Sequence, residues 1–111
     1  MNDSIMNQTA IHSTFGGDPD LGEIVDMFVA EMPERVKALE TSHAEQDKEQ
    51  LGRLAHQLKG AAGSYGFDVL TNYAGRLEDS VRGNEPEAQV LSALEELLTL
   101  CNKVKPGAGG E

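Results

Sequence analysis

Apolar residues recur along this chain at helical spacing in four successive stripes. Leu21, Ile24, Val25, Phe28, Val29 and Met32 follow the i, i+3, i+4, i+7 rule, and the stripe continues past Pro33 through Val36, Leu39 and His43. A second stripe holds Leu51, Leu54, Ala55, Leu58, Ala62 and Tyr65. A third holds Leu70, Tyr73, Ala74, Leu77 and Val81, and a fourth Val90, Leu91, Leu94, Leu97, Leu98 and Cys101. The polar residues between them carry helix-end chemistry. Asp18 with Pro19 at the next position starts the first helix. Pro33 lacks the helical donor and is expected to kink or restart it. Asp47 and Gln50 make a capping-box-like start for the second. That helix ends near Ser64 to Gly66, the third begins at Asp68 and closes at Gly83, and Asn84, Pro86 and Glu87 open the fourth. Val, Ile and Thr are sparse beside Ala, Leu, Glu and Gln, which favours helix over sheet. Short loops between long amphipathic helices imply antiparallel neighbours. The expected fold is all-α: an up-down four-helix bundle, residues 18–104, with a short extra N-terminal helix. Residues 1–17 are expected to form a mobile lead-in, docked in part through Ile11 and Phe15, and residues 105–111 a flexible tail.

At 111 residues the chain is one domain with a modest core, long enough to close that core as a monomer. A formal charge of −10 argues against nucleic acid and against anionic membrane surfaces as partners. No apolar run approaches the ~20 residues of a membrane span. The first residues lack a basic and apolar leader, so no secretory signal is expected. The single cysteine, Cys101, excludes an internal disulfide, lies on an apolar stripe as a core thiol, and fits a reducing, cytoplasmic location.

The charge is unevenly spread. Residues 47–66 are net +1, which leaves −11 for the remainder. At the centre of that stretch is His56, which points about 150° away from the apolar stripe of its helix. Its neighbours on the helical wheel are Gly52, Arg53, Lys59, Gly60 and Gly63. Glycine costs a helix interior roughly 0.5–1 kcal/mol relative to alanine. Three glycines beside one exposed imidazole suggest that something large approaches it closely. Close helix packing is the other reading of those glycines, and their place opposite the apolar stripe argues against it.

The run His56-Gln57-Leu58-Lys59-Gly60-Ala61-Ala62, followed by Gly66 and Leu70, resembles the signature of histidine-containing phosphotransfer (HPt) domains. The likeness continues through Ala74, Leu77 and Glu78, and upstream through Asp18-Pro19-Asp20-Leu21 and residues 28–39, covering about residues 15–103. Two positions depart from the usual pattern: Tyr65, where an aliphatic residue or Phe is common, and Ala74, where many members carry Cys. The resemblance implies that His56 relays a phosphoryl group between receiver-domain aspartates, or from a hybrid sensor histidine kinase, in multi-step two-component signalling. It also implies attack through Nε2, although the residues alone leave the attacking nitrogen open.

The chemistry suits the residues. An ordinary imidazole, with a pKa of about 6.5, is largely neutral at pH 7 and can form a phosphoramidate. Lys59, one turn on, can set an ammonium beside the transferred oxygens, and Arg53 can assist from the preceding turn. Gly52, Gly60 and Gly63 clear space for a receiver, and Gln57 and Ser64 offer hydrogen bonds at the rim. No phosphate loop or Mg²⁺-binding carboxylate cluster accompanies His56. The chain is therefore expected to be a phosphocarrier without nucleotide-dependent kinase activity and without a cofactor of its own, with Mg²⁺ on the partner receiver.

Two rival readings come from other function classes. Glu40-Thr41-Ser42-His43 has the spacing of di-iron bundle ligands, but position 53, three before His56, is Arg and position 9, three before His12, is Thr. His43 is better explained as a partly buried structural histidine, and His12 carries no signal. The other rival is a non-catalytic helical interaction bundle that binds a receiver or kinase and transfers nothing; such a domain would be expected to lack His56.

Overall fold

A computed structural model describes residues 10–107. Four helices form: α1 Gly22–Ala44, α2 Lys48–Ser64, α3 Asp68–Arg82 and α4 Glu87–Cys101. Each packs on the next in sequence, most extensively α2 on α3, and a thin contact between α1 and α4 closes the ring. Three-residue loops join α1 to α2 and α2 to α3, which reverses the chain each time. This is the expected all-α four-helix bundle. Ahead of α1, residues 10–21 form turns and one isolated bridge rather than a separate short helix. Any part of that expected helix that falls in residues 1–9 lies outside the described residues.

The helix ends follow their sequence signals with small differences. Asp18 Oδ1 accepts from the backbone N–H of Asp20 and Leu21, so it caps the turn that feeds α1, although regular helix starts at Gly22. Pro33 neither breaks nor restarts the helix. It sits on the exposed side within α1, where the carbonyl that loses its donor can turn to water. Asp47 caps α2 by accepting from Gln50 N–H at 3.1 Å. Gln50 does not return the bond; its side chain accepts from Arg53 instead. At the end of α3 the left-handed residue is Asn84 (φ 54°) and not Gly83. Gly83 serves for room, since a Cβ there would lie 2.9 Å from Asp79 O.

The core is built from the four stripes, with Leu39, Leu51, Leu58, Leu70, Leu77 and Leu97 fully buried. Phe67, in the α2–α3 loop, joins them and stacks on Phe28 at 5.4 Å between ring centres. Leu21, Ile24 and Leu91, which the pattern assigns to inner faces, are exposed. α1 packs chiefly on α2 and only thinly on α4, and part of its apolar stripe stays in solvent.

The lead-in is docked over its described part. Ile11 is buried and exchanges backbone hydrogen bonds with Lys103 and Lys105. Thr14 N–H donates to Gly66 O, and Ser13 Oγ donates to Tyr65 O. The start of the C-terminal tail takes part too, through Lys105 and through Gly107 O, which pairs with His12 Nδ1. Residues 108–111 of the tail lie outside the described residues. Gly66 makes this docking feasible. Its φ is +83°, and a Cβ would collide with Ser13 Oγ and come 2.8 Å from Thr14 Oγ1. Gly66→Ala is expected to cost 2 kcal/mol or more, roughly 1–2 kcal/mol for the left-handed backbone and the rest for displacing the strap. A thermal melt checks this; a melting temperature equal to wild type would show that the strap contributes nothing.

Candidate functional site

His56 lies at the middle of α2 with 60% of its side chain exposed, on the edge that runs alongside α3. That edge is lined by small residues. A Cβ on Gly52 would lie 3.3 Å from Arg82 Nε, one on Gly63 would lie 3.3 Å from Thr71 Oγ1, and one on Gly75 of α3 would lie 3.2 Å from Lys59 Cδ. Gly52 is itself buried. Two of the three glycines around His56 thus serve close packing of α2 on α3, contrary to the expectation from their place on the wheel. The wheel measures distance from one apolar stripe, whereas α2 has a second contact line, toward α3, that contains few apolar side chains. Only Gly60 matches the cleared-face idea by geometry, with nothing within 4 Å of where a Cβ would stand.

The close approach brings Glu78 of α3 under the imidazole. Glu78 Oε2 lies 3.0 Å from His56 Nδ1 and 3.0 Å from an Arg82 guanidinium nitrogen, and Oε1 lies 2.9 Å from Lys59 Nζ. Only 8% of the Glu78 side chain is exposed. It is covered by these partners at the bundle surface rather than sunk in the core. The Lys59 ammonium, and after it His56 and Arg82, hold the carboxyl below the usual carboxylate range, against the opposing effect of burial. At neutral pH Glu78 is therefore ionised and can only accept hydrogen bonds. Its bond to Nδ1 then requires the proton on Nδ1. In the neutral ring this leaves the lone pair on Nε2, which has no partner among the described residues.

The remaining expected residues lie around this centre. Lys59 is beside His56, but its ammonium rests on Glu78. Arg53 is exposed and turned back along α2, bonded to Gln50 at 2.8 Å and loosely paired with Glu49. Gln57 is exposed on the opposite side, where it lines a groove with Glu34 and Ala38 of α1. Ser64 is exposed at the C-terminal end of α2. The structure thus gathers His56 and Lys59 and leaves Arg53, Gln57 and Ser64 as separate rim positions.

Other chemistry-bearing groups fall elsewhere. Cys101 is buried, and burial pushes its thiol up to about 12, which removes thiolate reactivity. His43 Nε2 meets Glu87 Oε2 at 2.7 Å and links the end of α1 to the start of α4. Glu40, its supposed ligand partner, is exposed. Among the described residues no three His, Cys, Asp or Glu side chains gather as a metal site. No helix among the described residues is long and apolar enough to cross a membrane.

Sequence reasoning placed Glu78 in the motif but missed its contact, and it missed Arg82 altogether. A signal was present: Glu78 sits on the third stripe between Leu77 and Val81, where an acid needs partners, and Arg82 is four residues on. Because the Glu78 carboxyl is lowered in the fold, its stabilisation is complete above the ordinary glutamate value of about 4.3 and is lost as pH falls through the lowered value. Glu78→Gln is expected to cost about 1 kcal/mol at neutral pH, with partly exposed partners screening the pairing. The gap from wild type should close as pH falls below the lowered value of the Glu78 carboxyl. Denaturant titrations across that range check it, and a gap independent of pH would exclude charge pairing as its source.

The Hpt domain family profile matches residues 23–104. The chain is also 32% identical over 107 residues to the chemotaxis protein CheA of Rhizobium meliloti (strain 1021), a match that covers 81% of this chain and 14% of that protein. No solved structure matches significantly. With a histidine at the motif position of a four-helix bundle and the family profile spanning most of its length, the chain belongs to the Hpt family of histidine-containing phosphotransfer domains of two-component phosphorelays.

Proposed function

We propose that His56 is the phosphoacceptor, taking a phosphoryl group from a receiver-domain aspartate or from a hybrid kinase and passing it to another receiver. The observation that carries this reading is the ring itself: exposed, with Nδ1 bound to Glu78 and Nε2 open to solvent. The Nε2 lone pair attacks phosphorus in line with the aspartyl oxygen. The P–O bond breaks and its electron pair leaves with the aspartate carboxylate. The ring keeps its Nδ1 proton, so the phosphorylated imidazole is cationic, and that charge faces Glu78. Return transfer reverses each step, with Nε2 as the leaving group.

Phosphoryl transfer depends mostly on positioning and on charges near the transferred oxygens. Lys59 is the cation best placed for this. Its ammonium rests on the same carboxylate that accepts from His56 Nδ1, which keeps it near the ring. In this reading the receiver brings the aspartate and Mg²⁺, and the chain needs no cofactor of its own. Gly60 leaves the approach open, and Arg53, Gln57 and Ser64 form the rim that a receiver meets. The CheA relative is a chemotaxis protein of which this chain spans a small part, so the pathway served is a separate matter from the chemistry of His56.

Intact-mass spectrometry after mixing with a phosphorylated receiver domain tests the reading. Wild type should gain one phosphoryl group that is labile in acid and stable in base. His56→Gln should gain none and should melt as wild type does apart from the lost Glu78 contact. Binding without transfer in wild type would instead establish the non-catalytic interaction bundle. Lys59→Ala should slow transfer roughly tenfold, measured by quenched-flow sampling; an unchanged rate would remove its electrostatic role.

A further inference from the structure

Glu78 Oε2 faces two groups, each at 3.0 Å: His56 Nδ1, which donates a hydrogen bond to it, and the Arg82 guanidinium, which pairs with it as an ion. Arg82 is one helical turn beyond Glu78 on α3, and its guanidinium lies over Gly52 of α2, with Nε 3.3 Å from where a Cβ would stand. A larger residue at position 52 would occupy the path that the arginine takes. The groups that face Glu78 are His56 and Lys59 from α2 and Arg82 from α3. Lys59 uses the other oxygen, Oε1, so only Arg82 contends directly with the imidazole for Oε2.

We propose that Arg82 is a positioning residue that weakens the hold of Glu78 on Nδ1–H and thereby sets how readily His56 gives up its phosphoryl group. The inference rests on the phosphoacceptor reading of His56. Its physical basis is competition at one carboxylate oxygen. A guanidinium 3.0 Å from the oxygen that accepts from Nδ1–H draws on the same negative charge, and this permanent cation reduces what the imidazole receives. The phosphorylated ring is a cation and depends on Glu78 more than the neutral ring does. A Glu78 shared with Arg82 therefore stabilises the phosphorylated form less, which favours release to the next receiver. Gly52 has a role in this scheme that does not require contact with a partner: it provides the seat that lets Arg82 reach Oε2.

Arg82 is more than half exposed, so its replacement leaves the core intact. In Arg82→Gln, the phosphoryl group should partition toward His56 by about three- to fivefold at equilibrium with a receiver, the range expected for a partly screened charge. The ring NMR spectrum of the unphosphorylated protein should change as well, with the Nδ1 proton resonance moving downfield as its bond to Glu78 shortens. Arg82→Lys keeps the charge and should restore both readouts toward wild type. A merely structural arginine would alter the melting temperature and leave the partition and the ring proton unchanged, and that result overturns the proposal. A wild-type protein that accepts no phosphate overturns the phosphoacceptor reading, and the partition argument with it. A wild type that accepts phosphate while Arg82→Gln partitions identically overturns the role of Arg82 alone.

Discussion

Glu78 holds a negative charge at the edge of an apolar core because Lys59, Arg82 and the imidazole of His56 all reach it. A lone ionised carboxylate with 8% of its side chain exposed would be costly. A hydrogen bond from His56 and ion pairs with Lys59 and Arg82, from two helices, offset that cost, and they do so only if the helices are close. Closeness comes from Gly52, Ala55 and Gly63 on α2 and from Ala74 and Gly75 on α3, where larger side chains would hold the backbones apart. The glycines each cost α2 some helical stability. Their compensation lies in the packing they permit, the most extensive between any two helices of the bundle. The orientation of the imidazole is thus a consequence of backbone spacing, with the carboxylate as the intermediary.

The same dependence explains why the docked N-terminal segment matters for a site it does not touch. Ser13 and Thr14 bond across the turn that joins α2 to α3, while Ile11 bonds to Lys103 and Lys105, and Gly66 adopts a left-handed backbone that makes room for the former. Phe67 and Tyr65 leave that turn on either side of Gly66 and both meet Phe28 of α1. The turn is thereby fixed from two directions. With it is fixed the register of α3 against α2, which decides whether Glu78 lies level with His56.

The four helices were legible from the stripes because each has apolar residues at regular spacing and a capping or breaking residue at its ends. His56 and Lys59 were legible because they stand on the polar side of one helix. What could not be read from the pattern involves pairs of elements. Glu78 lies twenty-two residues from His56, and no periodicity within α2 or α3 states that the two meet. The glycines were assigned to a cleared surface for the same reason: a wheel drawn for one helix shows one apolar face and hides a second contact line made of small residues. Pro33 does not restart the helix, since its cost depends on whether the freed carbonyl faces water, and the pattern does not say. Leu21 and Ile24 share the apolar stripe yet are exposed, because amphipathic spacing reports which residues could be buried, whereas burial requires a neighbour.

Charge gives the arrangement its direction. The chain carries −10 overall, yet the stretch around His56 is net +1, and the one acid buried there is already engaged by cations. An acidic phosphorylation pocket would be repelled by most of this molecule and attracted to this edge, so long-range electrostatics and local geometry favour the same approach. The local balance is also sensitive to the reaction itself. In the proposed transfer the ring would turn cationic while the added oxygens would bring two negative charges, with Lys59 resting on Glu78 beside them. A carboxylate that holds the lysine at rest, and also pairs with His56 and Arg82, would let the site exchange partners without leaving its charge alone. That exchange would need more than one partner on Glu78, which a single histidine–glutamate pair would not supply.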